Sequence, residues 1–155
     1  MSGNGFFDYG TEADGAPPPT FLADASIEDW AAVIDHCERR RFHRGEVVIR
    51  FGDVDPSLLI VLDGDLETVA ERRGRQRRLS PAPAGSVVGE LGFLDGKPRS
   101  ASVIAVTDGE LLRMSASAFD SLAAVNPRLG RMMLFDLARI LAGRLRALTE
   151  VVMAR

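Results

Sequence analysis

The chain has 155 residues, 46% of them apolar, and a formal net charge of −3 at pH 7. That length fits one ordinary domain with a real core and leaves no room for two of typical size. The acidic balance argues against general attraction to nucleic acid, and a single cysteine, Cys37, with only His36 and His43 as histidines, excludes an internal disulfide and offers no zinc-type ligand set.

Residues 1–20 are rich in Gly, Asp and Pro and end in Pro17-Pro18-Pro19, so they are expected to form a flexible arm. An aromatic group, Phe6, Phe7 and Tyr9, lies within it. The arm lacks the basic-then-apolar order of a signal peptide. No later run approaches the roughly 20 apolar residues that span a membrane. A cytoplasmic protein with no membrane span is therefore expected, with residues 21–155 forming its domain.

Ser26 opens a helix, because its hydroxyl can cap the amide of Asp29 and Asp29 can reciprocate. Ile27, Trp30, Val33, Ile34 and Cys37 then share one face, and the helix is expected to fade in Arg39–Arg41. From Phe42 to Met114 the character changes. Short apolar or β-branched stretches alternate with glycine turns: Val47–Ile49, Leu58–Leu62, Leu66–Ala70, Ser86–Val88, Ser102–Val106 and Glu110–Met114. Strands near ten residues apart with such punctuation predict a small antiparallel barrel or roll. Two basic clusters, Arg39-Arg40-Arg41 with Arg44, and Arg72, Arg73, Arg75, Arg77 and Arg78, read as solvated faces. The functional alternative for them is contact with acidic lipid or RNA.

After Met114 the period is helical again. Ser115 or Ser117 can cap a short helix through Ala124, and Asn126-Pro127 opens a long one with proline in its first turn. Leu134, Leu137, Leu141, Leu145, Leu148 and Val152 recur at three- and four-residue steps. A helix over 127–152 would be about 39 Å long. That exceeds what covers a small roll, so its second half is expected to meet another chain or to fray.

The segment that carries chemistry is Gly89-Glu90-Leu91-Gly92-Phe93-Leu94-Asp95-Gly96-Lys97-Pro98-Arg99-Ser100-Ala101-Ser102. Gly89-Glu90-Leu91 follows a strand and can begin a helical turn, whose free amides converge on an anion. Arg99 returns about ten residues later, and a guanidinium can bind two phosphate oxygens at once. Ser100 adds a hydroxyl. Glu90 would repel a phosphate, unless the ligand also presents a hydroxyl donor, as a ribose 2′-OH does. The plain alternative is that Arg99 and Glu90 pair with each other.

This segment resembles the phosphate-binding cassette of the cyclic-nucleotide-binding family, which includes the catabolite activator protein, protein kinase A regulatory subunits and cyclic-nucleotide-gated channels. The resemblance runs from about Phe21 to Leu148. It includes Phe42–Ile49 and Phe51-Gly52-Asp53 as early strands, Leu59–Leu66 as the central hairpin, and Asp108–Met114 as the last strand. It implies an α+β fold: an antiparallel, jelly-roll-like β-roll flanked by an N-terminal helix and C-terminal B and C helices.

The resemblance also implies roles. Arg99 matches the arginine that pairs with the cyclic phosphate, and Glu90 the glutamate that accepts the ribose 2′-OH. Gly89, Leu91 and Ser100 match contacts around the phosphate, and Ala101 the small residue that follows. The base would be met by strand residues, with Val69, Leu79, Val87 and Val88 as candidates, and by a lid near Arg131–Arg139. Threonine at the position of Ser100 goes with guanine in parts of the family. Serine leaves the base open, and cAMP is favoured over cGMP.

There is no nucleophile–His–Asp set, no Walker A sequence and no metal cluster, so the expectation is a sensor without catalysis, metal or cofactor beyond its cyclic nucleotide. Ligand would enter between roll and cassette, and the long helix would close over the base. Only seven residues follow Leu148, so a helix-turn-helix DNA-binding output is not expected. Output would then pass through a homodimer or a regulated partner protein at the C-terminal helix. The competing readings are a ligand-independent interaction module on the same roll and, more remotely, a cupin-like enzyme, which needs a metal cluster that His36 and His43 do not supply.

Overall fold

The computed structural model describes residues 19–155; the expected arm, with Phe6, Phe7 and Tyr9, lies almost wholly outside the described residues. Helix α1 (Ile27–Asp35) starts as its sequence requires: Asp29 N–H donates to Ser26 Oγ at 3.1 Å, and Ser26 N–H donates to Asp29 Oδ2 at 3.2 Å. Val33 is buried and Trp30 and Cys37 pack on the core. Ile27 and Ile34 face solvent instead, so the apolar face expected for this helix is only partly used.

The helix does not fade through the arginines. It stops at Asp35, and Glu38–Phe42 is strand β1, antiparallel to the last strand of the roll. β1 is an edge strand on which Arg39 and Arg41 are exposed and Arg40 is half-buried; Arg39 pairs with Glu110 at 2.9 Å and Arg40 with Glu46 at 3.5 Å.

The remaining strands are β2 (Val47–Ile49), β3 (Ser57–Asp63), β4 (Asp65–Arg72), β5 (Arg75–Pro83), β6 (Val87–Val88), β7 (Ser102–Ala105) and β8 (Gly109–Ser115). They form two four-stranded antiparallel sheets, ordered β1-β8-β3-β6 and β2-β7-β4-β5. Strand β5 was not among the expected strands. It holds Pro81 and Pro83 and is otherwise mostly polar, and it is tolerated because it lies at a sheet edge, where a missing N–H breaks no inner ladder. The second basic cluster lies on this β4–β5 hairpin, exposed, around a tight turn in which Arg73 and Gly74 both have positive φ.

Two packed layers explain the strand pattern. Leu59, Val61 and Leu111 face the second sheet with Val48, Ile49, Leu66 and Val103. Leu58, Ile60, Leu112 and Met114 face the helices. β3 is thus covered on both sides, and its Leu58–Val61 run is continuously apolar for that reason.

Helix α2 (Glu90–Asp95) follows β6, and α3 (Ala116–Val125) and α4 (Pro127–Met153) follow β8. Ser115 Oγ caps α3 by accepting from Ala118 N–H at 3.1 Å, and Asn126 Oδ1 caps α4 by accepting from Leu129 N–H at 3.2 Å. The fold is an antiparallel, jelly-roll-like β-roll with one helix before it and two after it, as expected. No helix among the described residues is long and apolar enough to cross a membrane.

The buried seam of α4 shares only Leu137 with the expected one. Leu129, Met133, Leu137 and Ile140 are buried, whereas Leu134, Leu145 and Val152 are exposed. Both stripes have helical spacing, and tertiary tethers accompany the one that is used: Arg128 bonds Asp29, and Leu22 N–H donates to Asp136 Oδ2 at 2.7 Å. Beyond Ile140 no residue of α4 is buried.

Candidate ligand-binding site

Strand β6 ends at Val88, which is buried in the inter-sheet core. The chain then turns at Gly89, with φ +76°, into α2, whose first turn carries no side-chain cap. The N–H groups that open such a helix are available to another acceptor.

Arg99 lies across this turn and is only 4% exposed. Its Nη1 donates to the Gly89 carbonyl at 2.8 Å, and its Nη2 donates to the Ser57 carbonyl at 2.8 Å. Asp55 Oδ2 stands 3.8 Å from the same Nη2. Main-chain bonds fix the residue as well: Arg99 N–H donates to the Asp53 carbonyl at 2.8 Å, and Gly52 N–H donates to the Arg99 carbonyl at 2.9 Å.

Position 89 needs glycine for two reasons. Its φ is left-handed, and a Cβ there would lie 2.5 Å from Arg99 Nη1. The close approach of guanidinium and backbone therefore depends on the missing side chain.

Burial pulls the Arg99 guanidinium below its usual pKa, with the charges of Asp55, Glu90 and Asp53 acting the other way. Burial alone would raise the Asp55 carboxyl. The Ser57 hydroxyl, which donates to it at 2.6 Å, and the charges of Arg113 and Arg99 outweigh that and hold it below its ordinary value. A cavity of about 60 Å³ opens beside Arg99, lined among others by Ile49, Asp53, Asp55 and Arg113.

Glu90, the first residue of α2, is 7% exposed. It does not pair with Arg99; its carboxylate Oε1 accepts from Arg144 Nη1 of α4. The structure thus brings Val88, Gly89, Glu90 and Arg99 together at one end of the roll. Leu91 and Ser100 sit at its surface and Ala101 is half-buried.

Of the expected base contacts, Val69, Val87 and Val88 are core residues, and Leu79 is half-buried on the edge strand. Arg131 and Arg139 do not meet the cassette. They flank the Phe135 ring, with the Arg139 guanidinium carbon 4.6 Å from its centroid. Sequence reasoning missed Ser57, Asp55 and Arg144. Asp53 was visible only as part of a Gly-Asp turn, and Arg144 carries no local signal at all.

The fold and this site define a β-roll domain with a buried arginine bound to a glycine-led helical turn. A family model for the cyclic nucleotide-binding domain matches residues 39–126, more than half of the sequence, and the chain belongs to that family. It is 34% identical over 102 residues to a cAMP-dependent protein kinase regulatory subunit of Mycosarcoma maydis, a match covering 63% of this chain and 19% of that protein. It is 32% identical over 107 residues to a lysophospholipase of Chaetomium globosum, covering 68% of this chain and 7% of that enzyme. The crystal structure of the Thermus thermophilus catabolite activator protein superposes with a TM-score of 0.76 at 27% identity, covering 86% of this chain and 62% of that one. The chain spans less than a fifth of the length of these two curated relatives.

Proposed function

We propose that this regulatory domain binds a cyclic nucleotide in the Gly89–Ser102 segment, cAMP in preference to cGMP, and acts as a sensor without catalysis whose α4 helix moves on binding. The observation that carries the reading is Arg99: a buried guanidinium, locked by two carbonyls and two main-chain bonds, beside an uncapped helical turn. A guanidinium has five N–H donors. The Gly89 and Ser57 carbonyls take two of them, and the rest remain for phosphate oxygens. Such preorganisation lowers the ordering needed at binding.

Glu90 accepts the ribose 2′-OH in this reading. The amides near Gly89 and Leu91, with Ser100 and Ala101, complete the phosphate contacts, and Val88 lies behind them. No metal takes part. Relatives support the ligand class: one named relative is a cAMP-dependent regulatory subunit, and a regulatory domain of Toxoplasma gondii protein kinase A was crystallised with cAMP. Output passes through α4 to a second copy or a partner protein, for which the exposed Leu145, Val152 and Met153 supply apolar surface.

Ligand that binds only the folded state stabilises it by RT ln(1 + [L]/Kd), about 2.7 kcal/mol at a hundredfold excess over Kd. For a domain of this size that raises Tm by roughly 5–10 °C. A thermal melt with cAMP, cGMP and 5′-AMP tests this. A rise confined to the cyclic nucleotides, larger for cAMP, supports the reading. No rise with any of them favours a ligand-independent docking module.

A further inference from the structure

The two helices that follow the roll leave an apolar groove between them. Phe119 and Ala123 of α3 and Gly130, Leu134, Phe135 and Ala138 of α4 line an opening of about 470 Å³. Gly130 lets the helices approach at its floor, where a Cβ would lie 2.8 Å from that of Ala123. Leu134 is 42% exposed and Phe135 is 50% exposed. Large apolar side chains exposed side by side mark a contact surface.

The rim of the groove is basic. The guanidinium carbons of Arg131 and Arg139 lie 5.8 and 4.6 Å from the centre of the Phe135 ring. Arg139 also pairs with Asp136 at 3.7 Å, whereas Arg131 has no acidic partner among the described residues. An occupant of matching chemistry offers aromatic rings with carboxylates beside them and no cation.

The chain itself carries such a segment. Phe6-Phe7-Asp8-Tyr9 is followed by Glu12 and Asp14, and residues 1–20 hold no Lys, Arg or His. Residues 1–18 lie outside the described residues, but the point where the chain joins the body is fixed. Phe21 N–H donates to the Gly85 carbonyl at 2.8 Å, and Leu22 N–H donates to Asp136 Oδ2 at 2.7 Å. The chain thus enters beside α4, at the residue after Phe135. The eleven residues between Tyr9 and Phe21 span about 34 Å even at the 3.1 Å rise of polyproline. Half the circumference of a helix about 10–12 Å across is less than about 20 Å.

We infer that the α3–α4 groove is the docking site of this chain's own residues 6–14, with their rings in the groove and their carboxylates beside Arg131 and Arg139. A second copy fits it less well. A two-fold interface sets the same patch on both sides, so Arg131 and Arg139 would approach their own copies. This surface is separate from the exposed Leu145, Val152 and Met153 of the distal half of α4, and the inference does not depend on the ligand.

Thiol labelling of the full chain tests it. Cys37 packs on the core with its thiol pushed up to about 12. Ala138→Cys therefore places one reactive thiol in the groove, and Ala142→Cys places one on the next turn outside it, both at exposed positions. A short tether gives an effective concentration on the order of 1 mM, so a contact of only about 0.3 mM leaves the groove open roughly a quarter of the time.

Replacing Phe6, Phe7 and Tyr9 together by serine should then speed iodoacetamide labelling of Ala138→Cys about fourfold and leave that of Ala142→Cys unchanged. Arg131→Glu should speed the first at least twofold, and Arg131→Lys should not. Circular dichroism checks that each variant is folded. Equal rates with and without the three aromatics would overturn the inference, and protection by anionic lipid vesicles in that case would assign the groove to a membrane. Protection that fades on dilution would also overturn it, because it marks a second copy as the occupant.

Discussion

Replacing Gly89 with alanine tests whether guanidinium and backbone are locked together as described. The left-handed φ of +76° alone costs an alanine about 1–2 kcal/mol. For a domain of this size that lowers Tm by roughly 2–8 °C. The new methyl would also lie 2.5 Å from Arg99 Nη1, 3.1 Å from its Cζ and 3.1 Å from Ile49 Cδ1. Arg99 must then move, and each charged hydrogen bond it gives up is worth about 1.5–3 kcal/mol.

Gly96, at the other end of α2, is the internal control. Its φ is +69°, and a Cβ there would meet nothing within 4 Å. Gly96→Ala should show the backbone penalty alone and bind cAMP as wild type does. Gly89→Ala should melt several degrees lower still and bind at least tenfold more weakly. Thermal melts and nucleotide titrations on the two variants suffice. If Gly89→Ala matches Gly96→Ala in both, Arg99 is not held against that turn.

The remaining predictions concern charge and reactivity. Asp55 is held below its ordinary pKa of 3.8, and a carboxylate depressed by folding contributes stability above its unfolded pKa that is lost as pH falls through the folded one. Melts of wild type should therefore drop below about pH 4. Asp55→Asn should lower Tm at pH 7 and flatten part of that acid drop; an unchanged pH profile would refute the Asp55 network. Burial pushes the Cys37 thiol up to about 12, so iodoacetamide at pH 8 should leave native protein unmodified by mass and label it fully in denaturant. Rapid native labelling would contradict the packing of Cys37 on the core.

The parts of this molecule that sequence made legible are those whose cause is local. The Ser26–Asp29 capping box, the Asn126-Pro127 helix start and the continuous apolar run of β3 each follow from neighbours in the chain. So does the Gly89-to-Arg99 segment, whose two ends lie ten residues apart and touch. What stayed hidden depends on where other elements lie. β1 reads as the tail of a charged helix until β8 pairs with it, and β5, left out of the expected strands, is accounted for once its edge position excuses its prolines. The two stripes of α4 are equally periodic, so nothing short of packing selects Leu129, Met133, Leu137 and Ile140. Ser57 and Arg144 reach the site across 42 and 54 positions, beyond any sequence window.

The central claim is that Arg99 is the phosphate-binding charge of a cyclic-nucleotide sensor, and titration calorimetry of wild type and Arg99→Ala with cAMP and cGMP tests it most directly. The account predicts saturable binding to wild type, tighter for cAMP, and a loss of at least tenfold in a variant that circular dichroism shows to be folded. Folded, nucleotide-free wild type giving no heat with either ligand, or Arg99→Ala binding as tightly as wild type, would contradict it.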